Sequence, residues 1–509
     1  MQRILQPGWS GHFISLLMGG LITLSLAPFN FWPLALVAVA WLYLAVNELS
    51  PKQSFARGWW FGFGAFLSGT SWVYVSIHNF GNAPPWLAGL LTLGFVGGLG
   101  LLHAIQAWAW SRWFKPASSS FSSPFAFAAL WVAFEAFRGW FLTGFPWLYL
   151  GYSQVEGPFS GLVPVGGVWL ASFALALCGA LLGYALLQRH RVSAIWQSLI
   201  SLGALLLGAL ALHNNLWTQP KPNSQPLSVI AIQANVEQNL KWDPAALNQQ
   251  LQLYRQMTLA AGGADLVIWP ETAVPYMKDL AFDYLALMDD WARANHSSFI
   301  TGIPIRQHNE HGELRYYNGI TTGGQAQGDY LKQKLVPFGE YVPLQETLRG
   351  LIEFFDLPMS DFAKGPTQQS PIQVGEYQVA PYICYEVVYP EFAAELAAQS
   401  DVLLTISNDT WFGRSLGPLQ HLQMAQMRAL EAGRWMIRAT NNGISVIIDH
   451  QGKITERIPQ FEQAVLTGEV LPMQGLTPYL QWRSWPLIML SSLFLFLGFW
   501  KRRSLFEDQ

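Results

Sequence analysis

Charged residues are distributed very unevenly along this chain, and that distribution limits its fold more than any other feature. Only 12% of the 509 residues are charged, about half of the usual fraction, and just eleven charged residues lie in the first 212 positions. A helix needs about 20 apolar residues to cross the hydrocarbon of a bilayer, where it must also satisfy its own backbone hydrogen bonds. The first 212 residues therefore predict a bundle of transmembrane helices.

Eight apolar segments are candidate spans. They cover residues 11–27, 33–47, 58–78, 86–110, 122–143, 158–187, 194–212 and 484–500. The first segment is not typical of a cleaved signal peptide, since no small-residue cleavage site follows and further spans come after it. We expect a membrane domain at 1–212, a globular domain at 213–483, and an eighth transmembrane helix with a cytoplasmic tail at 484–509.

The basic residues indicate an orientation, because cytoplasmic loops are enriched in Lys and Arg. In an eight-span arrangement the opposite connections APFNFWP, HNFGNAPP and GFPWLYLGYSQVEGP contain no Lys or Arg. The Lys and Arg residues at the termini and in the remaining short connections all fall on the other side of the membrane. They are Arg3, Lys52 with Arg57, Arg112 with Lys115, Arg189 with Arg191, and Lys501 with Arg502 and Arg503. Both termini are therefore predicted to be cytoplasmic, and the 213–483 domain is predicted to face outward, into a periplasm or its equivalent.

Short apolar runs alternate with helical patterns in the 213–483 domain, which indicates an α/β fold. The helical patterns include ALNQQLQLYRQMTLAA and LQHLQMAQMRALEAGRWMIRA, and SVIIDHQGKI is typical of a hairpin. The apolar runs are SVIAIQANV, ADLVIWPET, SFITGIPIR, YQVAPYICYE and DVLLTISND. Functional residues of open α/β sheets gather beyond the carboxyl ends of strands. Glu271, Cys384 with Glu386, and Asn408 with Asp409 occur at such ends.

The two cysteines lie in different environments, so we expect no disulfide between them. Cys178 lies in the sixth span, where a small buried apolar side chain is the ordinary interpretation. Cys384 lies in the outward domain, with Glu386 two positions further on.

A catalytic thiol needs a base to accept its proton and donors to hold the oxyanion that forms on a carbonyl substrate. DLVIWPET supplies Glu271, and YLKQKLVPFGEYVP supplies two lysines and Glu340. No His occurs in the roughly 70 residues before Cys384, although His421 lies downstream. A carboxylate base with a lysine donor is therefore favoured over a Cys-His arrangement.

These stretches, in this order and spacing, resemble the Glu-Lys-Cys signature of the nitrilase, or carbon-nitrogen hydrolase, superfamily. With seven spans before them and one after, the chain resembles the apolipoprotein N-acyltransferases over essentially its whole length, including NLKWDP and SNDTWFG. The resemblance implies a nitrilase-like αββα sandwich for the outward domain. It also implies that Glu271 is the general base, Lys332 the oxyanion-stabilising donor and Cys384 the nucleophile.

Further residues follow from the same resemblance. Lys332 is preferred over Lys334 because it lies eight residues before Glu340, as in the family pattern. Glu340 and Glu386 are implied as supporting acidic residues. Three aromatic side chains are implied to shape the pocket, with ordinary packing as the alternative for each: Trp242, Tyr385 and Trp411.

The implied reaction moves an acyl chain from the sn-1 position of a phospholipid, typically phosphatidylethanolamine, through a Cys384 thioester. The acceptor is the N-terminal amine of the diacylglyceryl-cysteine of an apolipoprotein, at the bacterial inner membrane. We expect no cofactor and no metal, because no zinc-ligand spacing or phosphate-binding loop is present. Without a basic patch, we expect no nucleic acid partner either.

Two other function classes stay open. A membrane-tethered nitrilase or amidase would use the same three residues and release its product to water. A transporter with an accessory domain would explain the spans but not the Glu271, Lys332 and Cys384 set.

Two further features are hypotheses at this stage. The apolar stretch LRGLIEFFDLPMSDF, at 348–362, is either a lid over an acyl-chain entrance or a core helix. Glu135 and Arg138 share one face of the fifth span, where they can pair, and their role is either a functional one or support of helix packing or a lipid headgroup contact.

Overall fold

The structure is a computed structural model that describes residues 5–116, 120–308, 312–341 and 362–507. The hypothetical lid at 348–362 lies outside the described residues, apart from its last position. The chain divides into two compact units. One comprises Met1–His78, Pro84–Leu216 and Trp482–Gln509, and the other comprises Asn79–Ala83 and Trp217–Gln481.

A helix occupies each of the eight apolar segments. They are α1 (Trp9–Leu24), α2 (Pro33–Glu48), α3 (Pro51–Thr70), α4 (Pro85–Ala109), α5 (Ser123–Arg138), α6 (Val163–Leu187), α7 (Val192–His213) and the carboxyl-terminal helix Trp485–Glu507. Short helical turns lie at Val73–Val75, Ser76–Phe80, Trp110–Phe114, Phe141–Thr143, Leu150–Gln154 and Ser160–Leu162. A proline in the first turn begins α2, α3 and α4, where its missing N–H costs no hydrogen bond.

Within the described part of the chain, three helices are long and apolar enough to cross a membrane. They are Pro85–Phe114, Ser160–Leu187 and Val192–His213. α1 and α2 are apolar but shorter. The eight-span arrangement therefore stays a prediction.

Glycines allow α1, α3 and α4 to pack with their backbones in contact. A Cβ atom on Gly19 of α1 would collide with the Phe61 carbonyl of α3, and one on Gly58 of α3 would lie 2.6 Å from Ala107 Cβ of α4. Small residues at such crossings let apolar helices approach closely.

Glu135 and Arg138, which can pair by their spacing, bind other partners in the structure. Glu135 Oε1 instead accepts hydrogen bonds from Trp131 Nε1 at 3.0 Å and from the Leu150 N–H at 2.9 Å. Arg138 donates to the Trp147 carbonyl at 2.8 Å. Both side chains therefore tie α5 to the segment that follows it.

The second unit contains fifteen described strands. They are β1 (Gln219–Pro220), β2 (Leu227–Gln233), β3 (Leu266–Ile268), β4 (Ser298–His308), β5 (Leu314–Gly324), β6 (Ala326–Gln327), β7 (Tyr330–Leu331), β8 (Ile372–Val374), β9 (Tyr377–Ile383), β10 (Val402–Ser407), β11 (Met436–Thr440), β12 (Ser445–Ile448), β13 (Ile454–Ile458), β14 (Ala464–Val470) and β15 (Met473–Gln474). Its main helices are α8 (Gln238–Lys241), α9 (Pro244–Ala261), α10 (Phe282–Ala294), α11 (Pro390–Ala397) and α12 (Gly417–Ala432).

Two mixed sheets form this unit. The strand order of the first is β14-β2-β3-β4-β5-β7, and that of the second is β13-β12-β11-β10-β9-β8-β6, while β1 pairs with β15. The centre of each sheet is parallel, through β2, β3 and β4 in the first and β9, β10 and β11 in the second. The sheets meet at Gln233, whose side-chain oxygen accepts hydrogen bonds from Ser445 at 2.6 Å and from Thr440 at 3.2 Å.

Helices cover the sheets. Tyr254 of α9 and Met288 of α10 share a buried apolar cluster with Phe299 of β4. On the second sheet, the Tyr382 hydroxyl of β9 donates to the Ala393 carbonyl of α11 at 2.6 Å. The predicted α/β architecture is confirmed.

One predicted helix is too long. The pattern LQHLQMAQMRALEAGRWMIRA predicts helix throughout, but α12 ends at Ala432, and Gly433 follows with φ +59°. Met436–Thr440 then forms β11, parallel to β10. Pairing with β10 gives these residues a place in the sheet, which the helical spacing of their apolar side chains did not indicate.

Candidate active site

The carboxyl ends of three strands bring Glu271, Lys332 and Cys384 into one buried region. Glu271 follows β3 by three residues, while Lys332 directly follows β7 and Cys384 directly follows β9. The carboxylate and the lysine thus come from the first sheet, and the thiol comes from the second. The exposed fractions of these residues are 7%, 1% and 9%.

Cys384 stands in a sharp turn between β9 and the short helix Cys384–Val388. Its φ is +53°, a left-handed conformation that costs energy for a residue other than glycine. The turn is held on both sides, because Glu386 Oε2 accepts a hydrogen bond from the Ile383 N–H at 2.8 Å and His421 Nε2 lies 3.2 Å from the Cys384 carbonyl oxygen. The Cys384 thiol is therefore presented by a rigid backbone.

The strand beside Glu271 has a glycine where the backbones approach. A Cβ atom on Gly302 of β4 would lie 2.7 Å from Glu271 Cα. Any side chain at position 302 would displace the carboxylate.

Lys332 is shared between two carboxylates. Its Nζ lies 3.3 Å from Glu271 Oε1 and 2.9 Å from Glu340 Oε1. The amide of Asn318 donates to the same two oxygens at 2.7 and 2.9 Å. The other oxygen of Glu271 accepts a hydrogen bond from the Asn408 N–H at 2.8 Å. Donors from separate strands thus fix the carboxylate of Glu271.

The charges around Lys332 keep it protonated. Burial alone would lower its pKa, but the negative charges of Glu271 and Glu340 raise the pKa above its ordinary value. A permanent ammonium at this place can donate to an oxyanion.

The Cys384 thiol is protonated at rest. Burial, together with the negative charge of Glu271, raises the pKa of the thiol well above its ordinary range, and the opposing charge of Lys332 does not cancel this effect. A thiol in this state needs a base at the moment of attack. The charges of both Glu271 and Lys332 act on the sulfur, so the three predicted catalytic residues are brought together.

Glu386 joins the thiol turn to the lysine segment. Besides the Ile383 N–H, its carboxylate accepts hydrogen bonds from the Gln333 and Lys334 N–H groups at 2.6 and 3.1 Å, and from the Tyr330 hydroxyl at 3.0 Å. The side chain is fully buried. Burial raises its pKa to about 7, although the backbone donors oppose that shift.

The three aromatic residues differ in position. Tyr385 directly follows Cys384, and its ring packs edge-on against Tyr389 at a centroid distance of 5.3 Å. Trp411 is half-buried in the turn after Asn408 and packs against Phe80 at 5.4 Å. Trp242 is half-buried at the end of α8. Tyr385 thus lies beside the thiol, Trp411 lies in the turn after Asn408, whose N–H donates to Glu271, and Trp242 directly follows Lys241, whose Nζ donates to the Glu271 carbonyl.

His421 supports the backbone of Cys384. Its Nδ1 lies 3.1 Å from Asp409 Oδ1, and Arg438 donates to the other oxygen of Asp409 at 2.6 Å. Burial alone would raise the pKa of Asp409, but the charge of Arg438 and the contact with His421 hold it well below its usual range. Because Nε2 faces the main-chain oxygen of Cys384, this geometry does not favour His421 as the base of a Cys-His pair.

Three residues of the site were not singled out from the sequence: Asn318, Lys241 and Arg438. Asn318 lies within β5, with no local signal that separates it from other polar strand residues. Lys241 lies in the NLKWDP stretch that was noted for its tryptophan, and its Nζ donates to the Glu271 carbonyl at 2.9 Å.

The arrangement is suited to acyl transfer through a covalent thioester. It holds a nucleophile, a carboxylate that can accept its proton and an ammonium that can hold an oxyanion. Among the residues that the structure describes, no group of three or more His, Cys, Asp or Glu side chains could bind a metal ion.

Comparison with known proteins assigns both halves of the chain. Residues 18–181 match the apolipoprotein N-acyltransferase N-terminal domain, and residues 229–475 match the carbon-nitrogen hydrolase family. The chain is 59% identical over 505 residues to an apolipoprotein N-acyltransferase of Azotobacter vinelandii, with 99% of this chain and 98% of that protein covered.

Two further relatives carry the same name. The Pseudomonas syringae pv. tomato protein is 59% identical, with 97% of both chains covered, and the Vibrio vulnificus protein is 40% identical, with 96% of both chains covered. These identities extend over both units of the structure. The chain therefore belongs to the apolipoprotein N-acyltransferase family.

Proposed function

We propose that this protein transfers an acyl chain from the sn-1 position of a phospholipid to the N-terminal amine of the diacylglyceryl-cysteine of an apolipoprotein, the last step of lipoprotein maturation. One observation carries the proposal. Glu271, Lys332 and Cys384 share a buried site in a chain of this family, whose other unit is built of apolar helices.

The first half-reaction forms a thioester. Glu271 accepts the thiol proton while the sulfur of Cys384 attacks the ester carbonyl, and Lys332 donates to the oxyanion. The intermediate collapses by breaking the bond to the glycerol oxygen, which takes the proton back from Glu271. A lysophospholipid leaves, and the acyl chain stays on the sulfur.

The second half-reaction forms an amide. The α-amine of the acceptor attacks the thioester carbonyl, and Glu271 accepts a proton from the attacking nitrogen. Collapse then breaks the carbon-sulfur bond, and the proton on Glu271 returns to the sulfur. We assign Glu340 and Glu386 to support of this machinery, and Trp242, Tyr385 and Trp411 to the shape of the pocket.

The membrane is the natural location for both substrates. Moving a lipid chain into water costs about 0.8 kcal/mol for each methylene group, so a site near the interface avoids that cost. We propose that residues 1–212 and 484–509 form an eight-span inner-membrane domain, that 213–483 lie in the periplasm, and that both termini are cytoplasmic. Phosphatidylethanolamine is the proposed donor, by resemblance to the family.

A membrane-tethered amidase or nitrilase is the alternative function, because the same three residues would serve it. The two activities differ in the acceptor of the acyl group. With an acyl-labelled phospholipid and a diacylglyceryl peptide, the proposed transferase moves label into the peptide, whereas a hydrolase releases labelled free acid.

Mass spectrometry of the purified protein tests the proposed chemistry. Incubation with phosphatidylethanolamine should add one acyl mass at Cys384, and a diacylglyceryl peptide with a free amine should remove it. Cys384→Ala should carry no adduct, while Cys178→Ala should behave as the wild type, since Cys178 is buried within α6. An acyl adduct that persists in the Cys384→Ala protein would contradict the proposal.

A further inference from the structure

Lys241 is a second buried lysine at the candidate site, outside the Glu-Lys-Cys set. It is only 4% exposed, and its Nζ donates to the Glu271 main-chain carbonyl at 2.9 Å. The short helix α8 that carries it is tied to the site a second time, because the Asn408 amide donates to the Gln238 side chain at 2.8 Å. Lys241 is therefore held beside the catalytic carboxylate.

Burial of this lysine is costly, since a buried ammonium loses its water. That loss lowers the pKa of Lys241 to about 8, and the negative charge of Glu271, joined by that of Cys384 when its thiolate forms, opposes the shift. Within the described residues Lys241 forms no ion pair with a carboxylate. A buried charge without a local ion pair is uncommon in proteins, and this one lies where the reaction needs a positive charge.

The charges of the catalytic set are unbalanced without Lys241. Two carboxylates, Glu271 and Glu340, share the single ammonium of Lys332. Asp409 and Arg438 form a separate pair. When Glu271 accepts the thiol proton, the negative charge moves from its carboxylate to the sulfur and then to the oxyanion, so the buried region keeps one negative charge that Lys332 does not neutralise.

We propose that Lys241 is the second cation of this site, and that its ammonium stabilises the negative charge that develops on the Cys384 sulfur and on the tetrahedral intermediate. Lys332 is held by two side-chain carboxylates, whereas Lys241 is held by a main-chain carbonyl, so its charge is available to the reacting atoms. This inference rests on the proposed function and names a further residue that serves it.

The pH dependence of thiol alkylation isolates this role from the acyl chemistry. Iodoacetamide reacts with the thiolate, so the alkylation rate of Cys384 against pH, followed by mass spectrometry, reports the ionisation of the sulfur. The charges of Glu271, Lys332, Lys241 and Asp409 act on this sulfur, and the titratable and charged groups packed behind its turn are His421, Arg438 and Glu386. Loss of a nearby positive charge typically raises a thiol pKa by about one unit or more, which slows alkylation about tenfold at a fixed pH below that value.

Two variants separate the effect of the Lys241 charge from the effect of its hydrogen bond to Glu271. Lys241→Met removes both the charge and the hydrogen bond to Glu271, whereas Lys241→Gln removes the charge and keeps a donor. We expect both to slow alkylation, and acyl-adduct formation from phosphatidylethanolamine, by about tenfold. Lys453→Met, at an exposed lysine of the β12–β13 turn, is the matched control and should match the wild type.

The alkylation rates and the unfolding behaviour of the two variants decide whether Lys241 acts on the sulfur. Alkylation of Lys241→Gln at the wild-type rate would overturn the inference, because the hydrogen bond alone would then be sufficient. Loss of cooperative thermal unfolding in both variants would also overturn it, by assigning Lys241 to structural support. If the wild type forms no acyl adduct, the proposed function fails instead, and the alkylation profiles still report whether Lys241 acts on the sulfur.

Discussion

Lys332 is the residue on which the electrostatics of the site depend. It is almost fully buried, and it neutralises Glu271 and Glu340 at once. Removing one partner of a buried ion pair typically costs about 3–5 kcal/mol, because the remaining charge is left without compensation. Removal of the Lys332 charge would leave two buried carboxylates, Glu271 and Glu340, without compensation.

Lys332→Met should therefore abolish acyl-adduct formation and lower the thermal unfolding midpoint. Adding Glu340→Gln should recover part of the lost midpoint, because it removes one of the two uncompensated charges, but it should not restore activity. Thermal unfolding in detergent and mass spectrometry measure the two effects. Lys278→Met is the control, since its ion pair with Asp329 is partly exposed and such pairs contribute about 1 kcal/mol or less. A double variant no more stable than Lys332→Met would contradict this account.

At the scale of elements, Glu386 connects the end of β9 to the segment that follows β7. Its hydrogen bonds to the Ile383 and Gln333 N–H groups hold the nucleophile turn and the lysine segment at a set separation. Burial raises its pKa to about 7 from an ordinary value of 4.5. Folding therefore favours the protonated carboxyl.

The contribution of Glu386 protonation to stability is fully present below about pH 4.5 and is lost as the pH rises through 7; it amounts to about 3 kcal/mol. Glu386→Gln cannot ionise. The wild-type protein should therefore lose stability relative to this variant between pH 5 and pH 8, as measured by thermal unfolding midpoints in detergent. Glu395→Gln, at an exposed position of α11, is the matched control. A difference between wild type and Glu386→Gln that stays constant with pH would argue against the raised pKa.

At the scale of the whole molecule, the proposed orientation determines which substrates can reach the thiol. The basic residues predict that the connection after α6 is cytoplasmic and that the catalytic unit is periplasmic. Two exposed positions, Arg189 and Gln225, lie on opposite sides of the membrane in this arrangement.

Single cysteines introduced at these positions in a Cys384→Ala background test the orientation. A membrane-impermeant maleimide should label Gln225→Cys in intact spheroplasts, and it should label Arg189→Cys only after lysis. The labelled mass of each protein is the measurement. Labelling of Arg189→Cys in intact spheroplasts would reverse the proposed orientation, while the catalytic chemistry could still hold.

The apolar helices and seven of the fifteen described strands could be predicted, because hydrophobic periodicity and segment length are local properties of the chain. The eight apolar helices lie where the uncharged segments predict them, β2, β3, β4, β9 and β10 overlap the apolar runs, and β12 and β13 form the predicted hairpin. The end of α12 could not be predicted this way, since Met436–Thr440 becomes a strand only through pairing with β10.

The three principal residues of the candidate site carry reactive groups in recognisable local patterns, so the chain sequence indicates Glu271, Lys332 and Cys384. Their environment has no such local pattern. The sharing of Lys332 by two carboxylates, the amide of Asn318 and the ammonium of Lys241 all depend on residues far apart in the chain. Packing of two sheets brings these groups together and removes their water. Burial then lowers the pKa of Lys241, while the neighbouring carboxylates outweigh burial and raise the pKa of Lys332.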